Sequence, residues 1–565
     1  MLAHLKNQLA QKISKKTGLP ELDILKALEI PKNYEHGHLS WPVFAYAKST
    51  KQNPQQVAQD LQKDLSNSLP ILESIGAIGG FLNFKLKSSA LAQTLSDSAR
   101  AAQLGRNAIG QGKTMVIDYG SPNVAKKMHI GHLRATIIGQ AIRNLAEASG
   151  FHVIGVNHLG DWGTQFGKLA WALQAWGSEM GERAWSIDGL LELYIRFHDE
   201  AEKNPKLEEH GAETFLKLEK GDAEIQKIWR RIVDVSMADY NRLYKILNVK
   251  HDQVIGESFF NDKLEAVVQK LEAKKLLVES EGAQVVLFDE KENMAPCLIR
   301  KSDGASLYAT RDLAAAYYRH DVMKGDELVY VVGADQSLHF KQVFRVLELL
   351  GEPWAKNCHH VSFGLYRFKE GKMSTRKGRV VHLEDVLQAA IEFVTSTVEE
   401  KNPDLPDKEN TIRKIAVGAV FFNDLLNDRV KNVEFDLERA MSPEGDSGPY
   451  VQYTAVRCKS ILRKVSFQWQ GLPANSDWTD SETRLMFSLL QFQDVVKSSY
   501  LHLRPNILAQ YLLNVCSDFS HFYHQNRVLG EEASLQNRRL HLVELSRRVL
   551  EEGLGLLNVE APDQM

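Results

Sequence analysis

The sequence has 565 residues, of which 44% are hydrophobic and 25% charged, and its net charge is −3. These values exclude disordered, collagen-like and disulfide-framework proteins. No apolar run approaches the roughly 18–20 residues of a membrane span, no secretory leader is visible, and the four cysteines form no Cys-x-x-Cys pair, so we expect a cytosolic protein. Cys358-His359-His360 are consecutive residues that a strand would point to opposite faces, so no metal site is predicted.

Residues 1–110 are predicted to form a small α+β domain. Helical spacing of apolar residues in 2–17 and 54–67 indicates two helices, and alternation over 79–86 indicates a strand. This part carries 13 Lys and Arg against 8 Asp and Glu, a local charge of +5 that suits a phosphate-bearing partner. The glycine-containing run 104–113 is predicted to be a linker.

A different pattern begins at Thr114. Residues 115–117 form a short apolar run typical of a buried parallel strand, and a turn with glycine and proline follows at 120–123. Helical spacing continues until Gly150, where the next strand begins. Strand, turn, helix and strand in this order predict a doubly wound, Rossmann-type parallel sheet.

The second half of the chain shows two further changes of pattern. Residues from about 190 to 280 are mostly helical and charged, whereas a strand pattern returns at 328–332, so the sheet is predicted to be split by an insertion. Strand patterns nearly vanish after about residue 385. We therefore predict an α/β domain over 111–385, stem helices over 386–445 and an all-α domain over 446–565.

The first motif with chemical meaning is His129-Ile130-Gly131-His132, at the predicted start of the helix. Helix N-termini present free N–H groups and partial positive charge, so they favour phosphate. Two imidazoles add hydrogen-bond donors, and glycine leaves room for a nucleotide. Taken alone, the pattern also fits histidines that only cap the helix.

The second motif is Lys-Met-Ser-Thr-Arg-Lys-Gly-Arg at 372–379, in which cations and one glycine fill five of the eight positions. Such a segment can stabilise the charge that develops on a triphosphate during displacement at phosphorus. The alternative for an isolated basic run is a solvated turn.

Together, in this order, the two motifs resemble the signatures of class I aminoacyl-tRNA synthetases. The segments 121–126, 157–167, 308–314 and 333–336 are similar to motifs of the arginyl-tRNA synthetases within that class. The resemblance extends to both ends of the chain. Residues 1–110 resemble the domain that binds the tRNA elbow, 111–385 the class I catalytic domain, and 446–565 the anticodon-binding domain.

The resemblance implies a two-step ligase. Arginine reacts with ATP to give arginyl-adenylate and pyrophosphate, and the arginyl group then passes to the 2′-hydroxyl of the terminal adenosine of tRNA(Arg), with tRNA needed for activation. It also implies Mg²⁺ bound to ATP, no tightly bound cofactor, no membrane partner and a cytosolic monomer. A catalytically silent paralogue that binds RNA and a small-molecule nucleotidyltransferase are the alternatives.

The resemblance also implies site residues. The arginine-binding residues would be Asp118, Ser121, Pro122, Asn123, His132, Tyr308, Asp312 and Gln336. The ATP-binding residues would be His129, Gly131, His132, Gly333, Asp335, Lys372, Met373 and Ser374. The catalytic residues would be His129, His132, Lys126, Lys372, Arg376 and Lys377. The tRNA-binding residues would be Phe81, Asn83, Phe84, Tyr453 and Tyr523. For the four aromatic residues among them, packing in the core is the alternative that their type favours.

Two physical arguments accompany this assignment. Asp118 ends a buried strand at the carboxyl edge of the sheet, where such folds bind ligands, and a guanidinium needs carboxylates in its plane. The second motif departs from the family pattern, because Thr375 stands in place of the second lysine. Arg376, Lys377, Lys126 and Lys127 are the candidates for the missing charge.

Overall fold

The computed structural model describes residues 1–66, 69–301, 308–368, 381–473 and 477–565. The chain begins with an α+β domain whose three strands form an antiparallel sheet in the order β1-β3-β2. Its elements are α1 (Ala3–Thr17), α2 (Glu21–Ala27), β1 (Leu39–Pro42), α3 (Phe44–Thr50), α4 (Pro54–Leu65), β2 (Leu72–Ile78), β3 (Phe81–Leu86) and α5 (Ser88–Ser98). The leucines predicted to line α1 are buried, and Gly18 ends this helix with a φ of +72°.

The centre of the molecule is a five-stranded sheet in the order β11-β10-β4-β5-β6, and every pair in it is parallel. Its strands are β4 (Thr114–Asp118), β5 (His152–Leu159), β6 (Gln253–Gly256), β10 (Glu327–Tyr330) and β11 (Cys358–His360), and α6 (Ile130–Ala148) joins the first two. Asp118 is level with Val156 on one side and Tyr330 on the other, so β4 and β10 end together, and β5 continues past them at the same edge to Leu159. The predicted α/β fold class is confirmed.

The insertion is organised differently from the prediction for about 190–280. Three helices of this range pack together with the helix that precedes them. The same range also contains β6, which extends the parallel sheet. The helices are α7 (Thr164–Met180), α8 (Ile187–Lys203), α9 (Lys206–Glu219) and α10 (Ala223–Ile246). β6 was missed because two of its four residues are exposed and it lacks an apolar run.

A second small sheet lies between β6 and β10. It is antiparallel, in the order β7-β8-β9, and two helices accompany it. Its elements are α11 (Leu264–Ala273), β7 (Leu277–Ser280), β8 (Ala283–Val286), β9 (Cys297–Arg300) and α12 (Tyr308–Tyr317). A π-helical turn at Tyr318–Val322 continues α12 toward β10. α13 (Ser337–Leu350) then connects β10 to β11.

Where the structure describes it, the C-terminal part is helical except for one short pair of parallel strands, β12 (Tyr366–Phe368) with β13 (Val433–Phe435). Its helices are α14 (Leu383–Lys401), α15 (Lys408–Leu425), α16 (Leu437–Ala440), α17 (Gly448–Arg463), α18 (Asp480–Leu490), α19 (Phe492–Leu501), α20 (Pro505–Gln525) and α21 (Ala533–Leu556). Within the described ranges, none of the helices combines the length and apolar character needed to cross a bilayer.

The two ends of the chain meet. Lys6 in α1 forms an ion pair with Asp494 in α19 at 3.0 Å. The backbone N–H groups of Leu104 and Gly105, in the predicted linker, donate to the carboxylate of Glu552 in α21 at 2.8 and 2.9 Å. The first domain therefore packs on the last one, beside the parallel sheet.

Candidate active site

The two histidines of the first motif cap α6. The backbone N–H of Gly131 donates to Nδ1 of His129 at 3.1 Å, and the backbone N–H of His129 donates to Nδ1 of His132 at 3.0 Å. The two rings stack with 3.8 Å between their centroids. This reciprocal capping satisfies N–H groups that a helix leaves free, and it fixes both rings.

The capping also determines what the imidazoles can offer. Burial lowers the pKa of both rings. His382 and Lys126 lower the pKa of His129 further, and His129 and Lys126 lower that of His132, which falls to about 3. Both rings are therefore neutral near pH 7. Because each Nδ1 accepts a hydrogen bond, the one ring proton lies on Nε2. The α6 N-terminus thus carries two neutral Nε2–H donors, called here the histidine pair.

The structure separates the two lysines that precede the motif. Nζ of Lys127 is 2.5 Å from the carboxylate of Asp188 in α8. Lys126 is exposed and forms no ion pair within the described residues, and its ammonium lies 5.8 Å from the ring centroid of Tyr194. Its positive charge lowers the pKa of both imidazoles. Lys126 is therefore the cation that is available beside the histidine pair.

The predicted residues of the second motif, Lys372, Met373, Ser374, Arg376 and Lys377, lie outside the described residues, as does Thr375. The chain is described again from Val381, whose carbonyl accepts from the N–H of Ile130 at 3.1 Å. The N–H of Leu383 likewise donates to the carbonyl of Met128 at 3.0 Å. The residues after the motif therefore pair with the first turn of α6.

Asp118, at the end of β4, is 6% exposed and already paired. Its Oδ2 accepts from Arg319 of the π-helical turn at 2.6 Å, and its Oδ1 accepts from the Ser121 hydroxyl at 2.7 Å. Burial opposes ionisation of Asp118, but Arg319, His158 and the Ser121 hydroxyl outweigh it and hold the pKa below its ordinary value. Asp118 is thus a buried carboxylate that is already paired with the guanidinium of Arg319.

Asp312 shows the same arrangement on α12. Its Oδ2 lies 2.5 Å from Nε2 of His339 in α13, and both side chains are about one-fifth exposed, at 23% and 22%. Tyr308, one turn earlier on the helix, is 67% exposed. Gln336 is also exposed, at the end of the 3₁₀ turn Ala334–Gln336 that follows β10. Gln336 follows β10 at the carboxyl edge of the parallel sheet, whereas Tyr308 and Asp312 lie on α12, which precedes β10 and packs against α13.

A third carboxylate, which the sequence analysis did not single out, follows β6. Burial raises the pKa of Glu257 to about 7, although Arg311 lies 3.4 Å away and opposes this. The neighbouring Asp161 accepts from the backbone and the hydroxyl of Ser258 at 2.8 and 2.7 Å. Asp118, Asp312, Glu257 and Asp161, with their cations, are called here the acidic pocket.

The turn after β4 is built from backbone contacts. Ser121 has a φ of +46°, and its N–H donates to Oδ1 of Asn157 at 3.1 Å. Pro122 is buried, whereas Asn123 is exposed and pairs through its backbone with Gly160. A Cβ at Gly160 would lie 2.1 Å from Oδ1 of Asn123, so glycine is needed for this close approach.

The remaining predicted ATP residues lie on the turn after β10. Gly333 pairs through its backbone with Phe363, and the exposed Asp335 begins the turn into α13 with its carboxylate folded back over Gly333. This turn leaves the same edge of the sheet as β4. Within the described residues, no group of three or more His, Cys, Asp or Glu side chains is placed to hold a metal ion.

The structure divides the five residues predicted to contact tRNA. Asn83 and Phe84 are 5% and 1% exposed, so their side chains present little surface in this structure, and their contact with RNA stays a prediction. β3 is the middle strand of its sheet, and Phe84 belongs to the core. Phe81 is half-buried, with its ring 5.2 Å from that of the exposed Phe44.

Tyr453 and Tyr523 come together at the surface of the C-terminal domain. They are 38% and 37% exposed, and Arg457 lies over both rings, 4.9 Å from one centroid and 5.6 Å from the other. Arg457 also donates to the Tyr453 hydroxyl at 3.0 Å. Tyr453 and Arg457 line a cavity of about 670 Å³ with Phe519. Arg457 was missed, although its position four residues after Tyr453 could have pointed to it.

Three family models match the chain in turn. They are described as "Arginyl tRNA synthetase N terminal domain" over residues 3–86, "tRNA synthetases class I (R), catalytic domain" over 93–437, and "DALR anticodon binding domain" over 451–565.

Individual proteins agree with this match. The arginine–tRNA ligase of Clostridium botulinum is 42% identical over 567 residues, which is 99% of this chain and 100% of that protein. The arginine–tRNA ligase of Exiguobacterium sibiricum is 44% identical over 564 residues, again 99% and 100% of the two chains. The solved arginyl-tRNA synthetase of Thermus thermophilus superposes over both whole chains with a TM-score of 0.85 at 28% identity.

Proposed function

The chain belongs to the arginyl-tRNA synthetase family, and from this premise we propose that the histidine pair and the acidic pocket are the two halves of one arginine-activating site. Its activity is arginine–tRNA ligation. The relatives match along their whole length and are ligases, so they support this activity over a silent RNA-binding paralogue.

The reaction has two steps. A carboxylate oxygen of arginine bonds to the α-phosphorus of ATP while the bond from that phosphorus to pyrophosphate breaks. The 2′-hydroxyl of the terminal adenosine of tRNA(Arg) then attacks the arginyl carbonyl, and AMP leaves. Neither step needs a protein nucleophile, so positioning and charge stabilisation account for the rate.

The histidine pair is proposed to bind the phosphates of ATP. What supports this most directly is the reciprocal capping, which leaves two neutral Nε2–H donors at a helix N-terminus. A helix N-terminus favours anions, and donors held in place before the reaction need no reorganisation when charge develops. Gly131 leaves space above the first turn, and Mg²⁺ arrives as part of the ATP complex.

Lys126 is proposed to supply the charge that Thr375 cannot. Its ammonium is exposed beside the imidazoles, whereas Lys127 is held by Asp188. A cation at this position stabilises the negative charge that moves onto pyrophosphate. Lys372, Arg376 and Lys377 remain proposals from the sequence.

The acidic pocket is proposed to bind the arginine side chain by exchange of cations. Asp118 and Asp312 hold Arg319 and His339, so the pocket already accommodates a guanidinium and an imidazole. A substrate guanidinium can replace one of these partners and bond two separated carboxylates in a plane. A lysine ammonium cannot bridge both and leaves one buried carboxylate unpaired. Tyr308, Asn123 and Gln336 are proposed to line the entrance.

The C-terminal domain is proposed to bind the anticodon of tRNA(Arg) at Tyr453 and Tyr523. Anticodon bases are single-stranded, and such bases stack on aromatic rings and guanidinium groups. Arg457 holds the two tyrosines in one exposed group, which supports this proposal. Phe81 is proposed to contact the tRNA elbow. We also propose that the chain acts as a monomer in the cytosol, where its four buried free thiols stay reduced.

Exchange of labelled pyrophosphate into ATP, measured with each of the twenty amino acids with and without total tRNA, tests this function. We expect exchange with arginine alone, and only when tRNA is present. Exchange with another amino acid would refute the specificity, and robust exchange without tRNA would refute the tRNA requirement. A nucleotidyltransferase acting on a small molecule would be indifferent to tRNA.

A further inference from the structure

Arg134 lies in α6, two residues after His132 of the histidine pair, and is fully buried. Its Nε is 3.0 Å from Oδ2 of Asp424 in α15, whose side chain is 1% exposed. Two buried charges are retained in a core only when their geometry and further hydrogen bonds compensate for lost hydration. The other N–H groups of Arg134 supply such hydrogen bonds.

Those groups donate to three backbone carbonyls. Nη1 donates to Gly364 at 2.6 Å and to Lys431 at 3.0 Å, and Nη2 donates to Arg429 at 3.3 Å. Gly364 comes just before β12, and Lys431 comes just before β13, its parallel partner. One guanidinium in α6 thus fixes the start of both strands.

The surroundings of Arg134 allow little displacement. A Cβ at Gly364 would lie 2.6 Å from the carbonyl oxygen of Lys431, so the backbone approaches closely there. The Tyr366 ring of β12 has its centroid 5.5 Å from the guanidinium carbon of Arg134. The strand, the ion pair and the stem helix α15 are packed as one unit.

This unit adjoins the second motif in sequence. β12 ends at Phe368, and the motif occupies 372–379. On the other side of the motif, residues 381–383 pair with the first turn of α6. Both described segments that flank the motif are therefore attached to the helix that carries the histidine pair, one of them through Arg134.

We propose that Arg134 is a positioning residue for pyrophosphate displacement, because it keeps β12, the described strand that precedes the cationic motif in sequence, in a fixed place relative to the histidine pair. The inference rests on the function proposed above. Arginine transfer to tRNA releases AMP and involves no pyrophosphate. Loss of Arg134 therefore affects the first step selectively.

The test compares the two steps in the full-length protein. In Arg134→Met/Asp424→Leu both buried charges are removed together, which leaves no unpaired charge in the core. We expect kcat of tRNA-dependent pyrophosphate exchange to fall about 100-fold, as for a misplaced reacting group, with both KM values within about threefold. The single-turnover transfer of arginine from added arginyl-adenylate to tRNA should stay within about twofold.

Arg134→Lys keeps a cation beside Asp424 but loses the fork that reaches three carbonyls, so exchange should fall about tenfold. This variant carries the test if the double variant does not fold. Arg143→Met is the matched control. Arg143 lies in the same helix and donates to Asp252 and to the carbonyl of Lys250, but it contacts neither flank of the motif. Both steps should stay within about twofold in this control.

Two results would overturn the proposal. In the first, exchange and transfer fall in equal proportion, as expected for a merely structural pair. In the second, exchange by a folded Arg134→Lys protein stays at the wild-type rate. Absence of arginine-dependent exchange in the wild-type protein would instead refute the proposed function.

Discussion

The histidine pair and the acidic pocket are prepared for their ligands in opposite ways. At the histidine pair, backbone N–H groups occupy both Nδ1 atoms and leave the Nε2–H donors free. In the acidic pocket, Asp118, Asp312 and Glu257 each face a cationic or imidazole partner of the protein's own. The histidine pair thus keeps its Nε2–H donors for a ligand, whereas the carboxylates of the acidic pocket are already paired with side chains of the protein.

The difference follows from the cost of burying charge. Neutral imidazoles can be buried without a counter-ion, whereas an unpaired buried carboxylate would take up a proton. A guanidinium site made of carboxylates must therefore carry internal cations until the substrate arrives. Selectivity for arginine then depends on how well a ligand replaces those cations, and binding of ATP depends on fixed donors.

The largest effect is expected for Asp312→Asn, which removes one of the carboxylates that arginine must bond. The KM for arginine should rise about 300-fold, since losing one partner of a half-buried charge pair is costly, while the KM for ATP stays within about threefold. Steady-state exchange at varied arginine and ATP measures both. His339→Gln is the control. If His339→Gln raised the KM for arginine as much as Asp312→Asn does, the role of Asp312 would be to hold His339 and not to bind arginine.

A loss of about 100-fold in kcat is expected for His132→Asn. The asparagine side-chain oxygen can still accept the N–H of His129, so the helix cap survives, but the Nε2–H donor is gone. The comparison with His132→Ala separates the two functions, because alanine loses the cap as well. Thermal unfolding checks the fold. A loss of activity that only followed the melting temperature would contradict a role in phosphate binding.

A smaller effect, about tenfold in kcat for exchange, is expected for Lys126→Met, because one of several cations near the phosphates is removed. Lys127→Met should change kcat by less than about twofold, since its ammonium is held by Asp188. The pair of variants is measured side by side in the exchange assay. Equal losses, or a larger loss for Lys127, would reverse the assignment.

The smallest effect concerns stability. The pKa of Glu257 is raised to about 7 from its ordinary 4.5, so the folded state holds this proton more tightly than the unfolded chain does. Its contribution to stability is present below pH 4.5 and is lost as the pH rises through 7. Glu257→Gln should therefore stabilise the protein by about 1–2 kcal/mol at pH 8 and not at pH 4.

Urea unfolding at the two pH values measures this difference. Glu265→Gln removes a carboxylate that is 60% exposed on α11 and should leave the pH dependence as in the wild type. A Glu257→Gln protein with an unchanged pH dependence would show that folding does not shift the pKa of this carboxyl group.

Features that depend on neighbouring residues could be predicted from the sequence. The end of β4 at Asp118 and the place of the histidines at the start of α6 follow from a short apolar run, a turn and helical spacing. The parallel sheet and the helical C-terminal part follow from the same patterns, and the fold class is confirmed. The cationic motif lies outside the described residues and stays a prediction.

Features that depend on distant partners could not be predicted. Asp118 and Arg319 are 201 residues apart, and nothing local indicates that the carboxylate is paired. The alternation over β3 correctly indicated a strand, but not that it would be the middle one or that the side chains of Asn83 and Phe84 would be buried. In the same way, the sequence around Arg134 predicts an ordinary cation on a helix, and nothing local indicates that Asp424 of α15 pairs with it.

The central claim is that a substrate guanidinium takes the place of internal cations in the acidic pocket while the histidine pair holds the phosphate. A crystal structure with a non-hydrolysable arginyl-adenylate mimic tests this most directly. We expect the guanidinium of the mimic within hydrogen-bond distance of Asp312, with His339 or Arg319 displaced. We expect its phosphate group to accept hydrogen bonds from the Nε2 atoms of His129 and His132. A mimic bound elsewhere, with both imidazoles free of contacts, would contradict it.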